Sequence, residues 1–277
     1  MSGIHRRGMT IREVIIVAVC IAIVFSIASV LLFGSNSLAR ANSRRMQDAT
    51  QMAGIHQSWL VVARNFDGVM PTPGLIHRDA DPMLGEVPGR GPENESLNTT
   101  ANLFSACIAQ NYLTPEMCVG PTEPSPHVKV MPSSVYNFGA YSPAGNSYWD
   151  TNFKADLHAT SNVSYAHMPL IGERKLKNWR YSADQYWPIL GTRGPLHGVA
   201  DPNSITNKIF PPDDSWNGNI CFADNHVEFI SSFFLSPPGA TTAPQDNIFN
   251  WDTPEMTDLL ITFTKAINDH KPIIEHD

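Results

Sequence analysis

Glu13 stands immediately before an apolar run, Val14 to Phe33, that contains no charged residue. Such a run is about 20 residues, roughly 30 Å as a helix, enough to cross the core of a bilayer. A carboxylate at its lip costs ~2.5 kcal/mol or more without a partner, so a function is expected of it. A second set of reactive groups lies further on: Asp213, Asp214, Asp224, His226 and Glu228. Oxygen ligands of this kind suit Ca²⁺. The simpler reading, and the one preferred, makes Asp224 a turn residue and places His226 and Glu228 on the solvated face of a strand. His158, His167 and His197 have no partner at metal-ligand spacing and are expected in loops or at the surface.

No arrangement in the chain signals catalysis. There is no G-x-S-x-G elbow, H-E-x-x-H zinc helix, P-loop or dinucleotide fingerprint, so an enzyme is not expected. Trp149, Trp179, Trp187, Trp216 and Trp251 could line a sugar site, although burial is their commoner fate. Residues 35–277 carry 16 of the 19 basic and 25 of the 26 acidic residues, which argues against nucleic acid as a partner. Outside the apolar run stand Cys107, Cys118 and Cys221. An odd number allows at most one bridge within the chain, with Cys107–Cys118 one option.

The elements that must position these groups begin with a helix. No proline occurs between Met1 and Pro71, and helix is expected from the apolar run on to about Arg64. In its second half Leu38, Met46, Ala49 and Ala53, then Met52, Ile55, Trp59 and Val62, keep a spacing of three to four, while Arg40, Arg44, Arg45, Asp48 and Gln51 fall between them. An amphipathic half of this kind needs a sheet to lie on. Gly34 and Gly54 are points where it could melt. Proline and glycine alternate from Asn65 to Thr99, predicting a long loop. A helix is expected over about Thr100–Gln110 and a capped turn at Thr114-Pro115-Glu116. Short strands are expected near Val128–Met131, Val135–Tyr141, Val163–Met168 and Tyr186–Leu190, and a C-terminal helix opening at Thr253-Pro254-Glu255 with Met256, Leu259, Leu260, Phe263 and Ile267 on one face.

The segment Asn217–Ser231, NGNICFADNHVEFIS, is the strongest hairpin signal. With Asp224-Asn225 as a two-residue loop, Ala223 pairs with His226, Phe222 with Val227, Cys221 with Glu228 and Ile220 with Phe229. Ile220, Phe222, Val227 and Phe229 then form one apolar face. In that register Gly at position 225 would be as good as Asn or better.

Taken together, Arg6-Arg7-Gly8, Met9 and Glu13 before the apolar run resemble the class III signal of type IV pilins and type II secretion pseudopilins. In that family a basic leader ends in Gly, the next residue opens the mature protein, and a Glu sits fifth in it. Here Gly8 would end the leader, Met9 would become the mature N-terminus and Glu13 falls fifth. Arg12 departs from the pattern, since that position is apolar in the family. Phe222–Ile230 is similar to the hairpin of the prepilin-type processing-associated domain named for His, nine residues and Asp-Gly, with Asn225 in place of Gly and Asp214 in place of His. Leu113–Glu123 resembles the same family's Leu-Thr-Pro segment, carried here by Cys118.

The resemblance implies an α+β, pilin-like fold: a long N-terminal helix packed on an antiparallel sheet with loop insertions. It divides the chain into a leader, 1–8; a transmembrane half-helix, 9–34; an amphipathic half-helix, 35–65; and a periplasmic or extracellular globular domain, 66–277. It implies a structural subunit of a pilus-like or type II secretion filament in the bacterial inner membrane. Its partners would be a prepilin peptidase, membrane lipid, and copies of itself or other pseudopilins and secretion machinery. The mature amine would be methylated. No cofactor is implied beyond the calcium that some pseudopilins carry in a C-terminal loop. The rival reading is a membrane-tethered periplasmic binding module or hydrolase that never polymerises.

Overall fold

The computed structural model describes residues 10–182, 184–210, 215–236, 245–251 and 258–276, with the backbone alone over 30–38. The protein is α+β, with an N-terminal helix and antiparallel sheets. Helix α1 runs Ile11–Asn65 and passes through Gly34 and Gly54 without interruption. The chain divides into two compact units, Met1–Arg44 and Arg45–Asp277. In the first, Ile11–Ser29 is long and apolar enough to cross a membrane, with a mean hydropathy of 2.5 and none of it buried.

The second unit is built on a four-stranded antiparallel sheet in the order β1 (Tyr165–His167), β2 (Pro188–Thr192), β3 (Gly218–Phe222), β4 (Val227–Ile230). All residues of β2 and β3 are buried, so the two central strands are covered on both faces. One cover is the end of α1, where Met52, Ile55 and Trp59 are fully buried. Trp59 meets Phe104 edge-on at 5.7 Å and Trp179 at 5.1 Å. Helix α2 (Thr100–Ala109) supplies Phe104 together with Leu103, Cys107 and Ile108, all on the expected buried face. It starts at Thr100 as expected, and Thr99, which the sequence reading did not single out, caps it with Oγ1 accepting from the Asn102 N–H. The chain leaves α1 through Asp67 and Gly68, both left-handed, and the Gly68 N–H donates to the Ala63 carbonyl at 2.8 Å, which stops the helix. The other cover of the sheet includes Ile261, which crowds Ile220 across Gly191; a side chain at Gly191 would have no room.

Several expectations are corrected. The C-terminal segment does not form a helix over its described part. Phe263–Asn268 (β5) and Lys271–Glu275 (β6) form a hairpin, turning at Asp269 and His270, both with positive φ. Residues 253–257 of that expectation lie outside the described residues. Neither Val128–Met131 nor Val135–Tyr141 is a strand: the first gives a single bridge, Val128 to Ser161, and the second a tight turn at Phe138–Ala140. The turn forms at Pro115–Cys118 with Glu116 in its first turn as expected, but the Thr114 side chain makes no cap bond; Glu116 accepts from the Ser133 N–H and hydroxyl. Cys107, Cys118 and Cys221 are buried and unbonded, and burial pushes the Cys107 thiol up to about 12. Trp149, Trp179 and Trp216 are buried, with the Trp179 and Trp216 indoles donating to the carbonyls of Pro71 and Arg193.

The helix face is also drawn differently. Met46 is exposed, whereas Asp48 is 2 % exposed and sits against the sheet. Tyr165 Oη donates to Asp48 Oδ1 at 2.8 Å and Asn219 Nδ2 to Oδ2 at 2.7 Å. Burial raises the Asp48 carboxyl, and the two donors only partly offset it. The same Asn219 amide reaches the Arg45 carbonyl, and the Arg45 guanidinium lies 4.3 Å over the Phe229 ring. These contacts fasten the helix to β3 and β4 through directional groups as well as apolar area.

Candidate functional site

Glu13 occupies the first turn of α1, and its local role follows from Thr10. The Thr10 N–H donates to Glu13 Oε2 at 2.8 Å, and the Glu13 N–H lies 3.4 Å from Thr10 Oγ1. Thr-x-x-Glu is a capping box, in which each residue satisfies an otherwise orphaned amide of the other. That signal is present in the sequence and gives the carboxylate a structural reason to be there. Glu13 Oε1 has no partner among the described residues. Gly8 and Met9, the expected processing site, lie outside the described residues.

The hairpin exists, but its register is one residue away from expectation. Ile220 faces Glu228 and Cys221 faces Val227, so the loop has three residues, Ala223-Asp224-Asn225. The Asn225 N–H donates to the Phe222 carbonyl at 2.8 Å and the Phe222 N–H to the His226 carbonyl at 3.0 Å, with Asn225 left-handed at φ 73°. This is the tight turn followed by a left-handed residue that three-residue hairpins favour. The shift exchanges partners across the whole pair. Cys221, Val227 and Phe229 now share the face turned to α1 with Asn219, and Ile220 and Phe222 share the other with His226, Glu228 and Ile230.

Each loop residue then has a definite task. The side chain of Asn225 reaches α1, where His56 Nδ1 lies 2.9 Å from Asn225 Oδ1 and Asn225 Nδ2 lies 3.3 Å from Gln57 Oε1. His56 is fully buried, and burial lowers its pKa to about 4 against the smaller opposing effect of Asn225. The neutral ring donates from Nδ1. Asp224 accepts from the His226 N–H and from the His226 ring at 2.5 Å, and that ring stacks on Phe222 at 4.6 Å. Burial opposes ionisation of Asp224, but the hydrogen bonds from His226 outweigh it and hold the carboxyl below its usual range. Asp224 is thus engaged as a turn residue. Asp213 and Asp214 lie outside the described residues, and among the described residues no group of three metal-ligating side chains converges. His158 and His197 are exposed as expected; His167 is not. His167 is fully buried, its Nδ1 donating to the Met168 carbonyl at 2.8 Å and its Nε2 accepting from Thr100 Oγ1 at 2.9 Å, and burial lowers its pKa to about 4.

No local pattern announces the His56–Asn225 clamp, because its partners are 169 positions apart. Its consequence reverses the expectation for position 225. Asn225→Gly relieves the left-handed backbone, worth a few tenths of a kcal/mol to about 1, but strips a buried imidazole N–H of its acceptor, at about 1–3 kcal/mol. The expected net result is a loss of about 1–2 kcal/mol, measured as a lower unfolding midpoint of the full chain in detergent. A variant as stable as the wild type would mean the clamp contributes nothing. The chain matches no protein-family model, no curated protein and no solved structure.

Proposed function

We propose that this chain is a pilin-like structural subunit of a type IV pilus-like or type II secretion filament. In this reading a prepilin peptidase cuts between Gly8 and Met9, α1 anchors the protein in the bacterial inner membrane, and the globular unit lies in the periplasm or on an assembled filament. The observation that carries the reading is α1 itself: one helix of 55 residues that carries no charge from Val14 to Ser29, is unburied there, and is buried against a sheet at Met52, Ile55 and Trp59. A helix apolar on every side has to be covered by lipid or by other helices, and a subunit that moves from a membrane into a filament core needs both. Glu13 supports it further. With Oε2 occupied by the cap, Oε1 remains to accept the ammonium at Met9 of a neighbouring subunit. Such a pairing is far stronger in an apolar surrounding than in water.

Processing is the direct test. Mass spectrometry of the membrane-extracted protein from cells that possess the peptidase should show a mature start at Met9, and Gly8→Val should abolish it, because a close-fitting site has no room for a side chain. A start near Ala41, or an intact Met1, overturns the reading. Glu13→Gln then separates the two roles of Glu13. Glutamine serves equally well in a capping box, so insertion should be unchanged, while loss of the charge should reduce filament or secreted cargo at least tenfold. Wild-type assembly by that variant would leave Glu13 as a cap alone.

A further inference from the structure

Glu93, Asn98 and Lys175 meet inside the Arg45–Asp277 unit in an arrangement that the filament reading does not use. We propose that it is a self-modification site, where the Lys175 amine displaces ammonia from the Asn98 side-chain amide and leaves a covalent isopeptide bond between the two residues. The proposal goes beyond the filament reading and does not depend on it.

The geometry comes first. Asn98 is fully buried and Lys175 is 5 % exposed, an unusual depth for a lysine. Glu93 joins them: its Oε1 accepts from Asn98 Nδ2 at 2.7 Å and also from Lys175 Nζ. Among the described residues no other group pairs with the Lys175 amine. Two donors on one acceptor oxygen lie within roughly 6 Å of each other. Only a movement on the side-chain scale therefore separates the amine from an attack distance of about 3–3.5 Å to Asn98 Cγ. The amide itself is held from three directions. The Gly74 N–H donates to Asn98 Oδ1 at 2.8 Å, and Nδ2 donates to the Leu170 carbonyl at 3.0 Å as well as to Glu93. The reverse orientation would set an NH₂ against an N–H and an oxygen against two acceptors, so the carbonyl faces Gly74 and the leaving nitrogen faces Glu93.

Each contact has a task in the reaction. Glu93 takes a proton from the Lys175 ammonium, which frees the lone pair on Nζ. Nζ attacks Cγ, and the negative charge that develops on Oδ1 meets the Gly74 N–H, already at the distance of an oxyanion-hole donor. Glu93 then hands its proton to Nδ2, its other hydrogen-bond partner, and the Cγ–Nδ2 bond breaks as the Nζ–Cγ amide forms. Nζ sheds two protons in all, one before the attack and one as the intermediate collapses, and both depart on Nδ2 as ammonium. Glu93 ends as the carboxylate it was at the start, and no outside reactant is consumed. Burial keeps competing water from Cγ. The side chain of Glu93 is 19 % exposed, the least buried of the three, and marks the way out for the ammonium. The bond would tie the segment just before α2 to the short helix Gly172–Asn178.

The test is mass spectrometry of the full chain, extracted from membranes and folded in detergent. Trypsin should release Gly91–Lys129 with Lys175–Lys177 attached as a branch through Asn98, short by the mass of one ammonia, as the main form of both peptides. Glu93→Gln still accepts from Asn98 but carries no proton, and should lower the branched product about tenfold or more. Lys175→Met removes the nucleophile and should abolish the branch. Unbranched Gly91–Lys129 as the main product of the folded wild type would overturn the proposal whatever the variants do. An undiminished branch in folded Glu93→Gln would overturn it as well.

Discussion

Arg193→Ala is expected to destabilise the Arg45–Asp277 unit by about 3–5 kcal/mol, the cost of breaking a buried ion pair from one side. Arg193 follows β2 directly and is 2 % exposed. Its Nη2 donates to Glu123 Oε1 at 2.7 Å and its Nε to Oε2 at 3.1 Å, so the pair is bidentate, and the Glu123 side chain is buried as well. Ser125 adds a backbone N–H to Glu123 Oε1 at 2.8 Å. Removing the guanidinium strands a carboxylate that already repels ionised Asp48 nearby. Neither can reach water without opening the junction between α1 and the sheet. The Trp216 indole donates to the Arg193 main-chain carbonyl and is untouched, so its fluorescence reports unfolding in both proteins. The paired change Arg193→Met with Glu123→Leu should recover most of the loss, because no charge is left behind. A single variant within about 1 kcal/mol of the wild type would show that the pair is solvated.

What could be read from the sequence, and what could not, divides along the line between local and distant causes. Helix α1 was legible because proline is absent, and α2 because Leu103, Phe104, Cys107 and Ile108 keep a helical spacing. The orientation of α1 was only half legible. Asp48 belongs by spacing to the buried row Asp48, Met52, Ile55, Trp59, Val62, but its charge assigns it to water; Tyr165 and Asn219, more than a hundred residues away, supply the two donors that allow it inside. The hairpin around Asp224 was legible as a hairpin, and its register was not. Asp-Asn suits a two-residue loop as well as the end of a three-residue one, and the choice is fixed by the reach of Asn225 to His56. At the C-terminus Leu259, Leu260, Phe263 and Ile267 satisfy a helical period, and the strand that forms there breaks simple alternation, with the exposed Lys265 an extra residue between Thr264, which faces Ile274, and Ala266, which faces Ile273. The strand prevails because Thr262 exchanges backbone hydrogen bonds with His167 at the free edge of β1, which a helix could not do. Burial of His167 had no sign in the sequence, since one partner is the carbonyl of its own neighbour Met168, which any residue offers, and the other, Thr100, is 67 positions away.

Those two buried histidines make stability depend on pH in a defined sense. His56 and His167 each have a folded-state pKa of about 4 against an ordinary 6.5, because burial disfavours the charged ring. Between those values the unfolded chain takes up protons that the folded chain refuses, so stability is complete above about pH 6.5 and is lost as the pH falls toward 4. Within the window each ring contributes a slope of about 1.4 kcal/mol per pH unit, and the two together about 2–3. Asp48 acts in the opposite direction: its raised carboxyl takes up a proton in the folded state first, which offsets part of the loss at the acid end. Asp224 and Asp156, both lowered, add their own loss only as the pH drops through the carboxylate range. Unfolding midpoints of the full chain in detergent at pH 7, 6 and 5 should therefore fall steadily. His56→Gln with His167→Gln should begin lower at pH 7, where the rings' packing is lost, and then run nearly flat to pH 5. A wild-type midpoint that does not move between pH 7 and 5 would place both rings in water. The two sites fail differently on protonation. His167 loses the Thr100 hydroxyl as a donor, whereas His56 gains an Nε2–H that has no acceptor around it, so the clamp that binds α1 to the β3–β4 loop is the weaker of the two in acid.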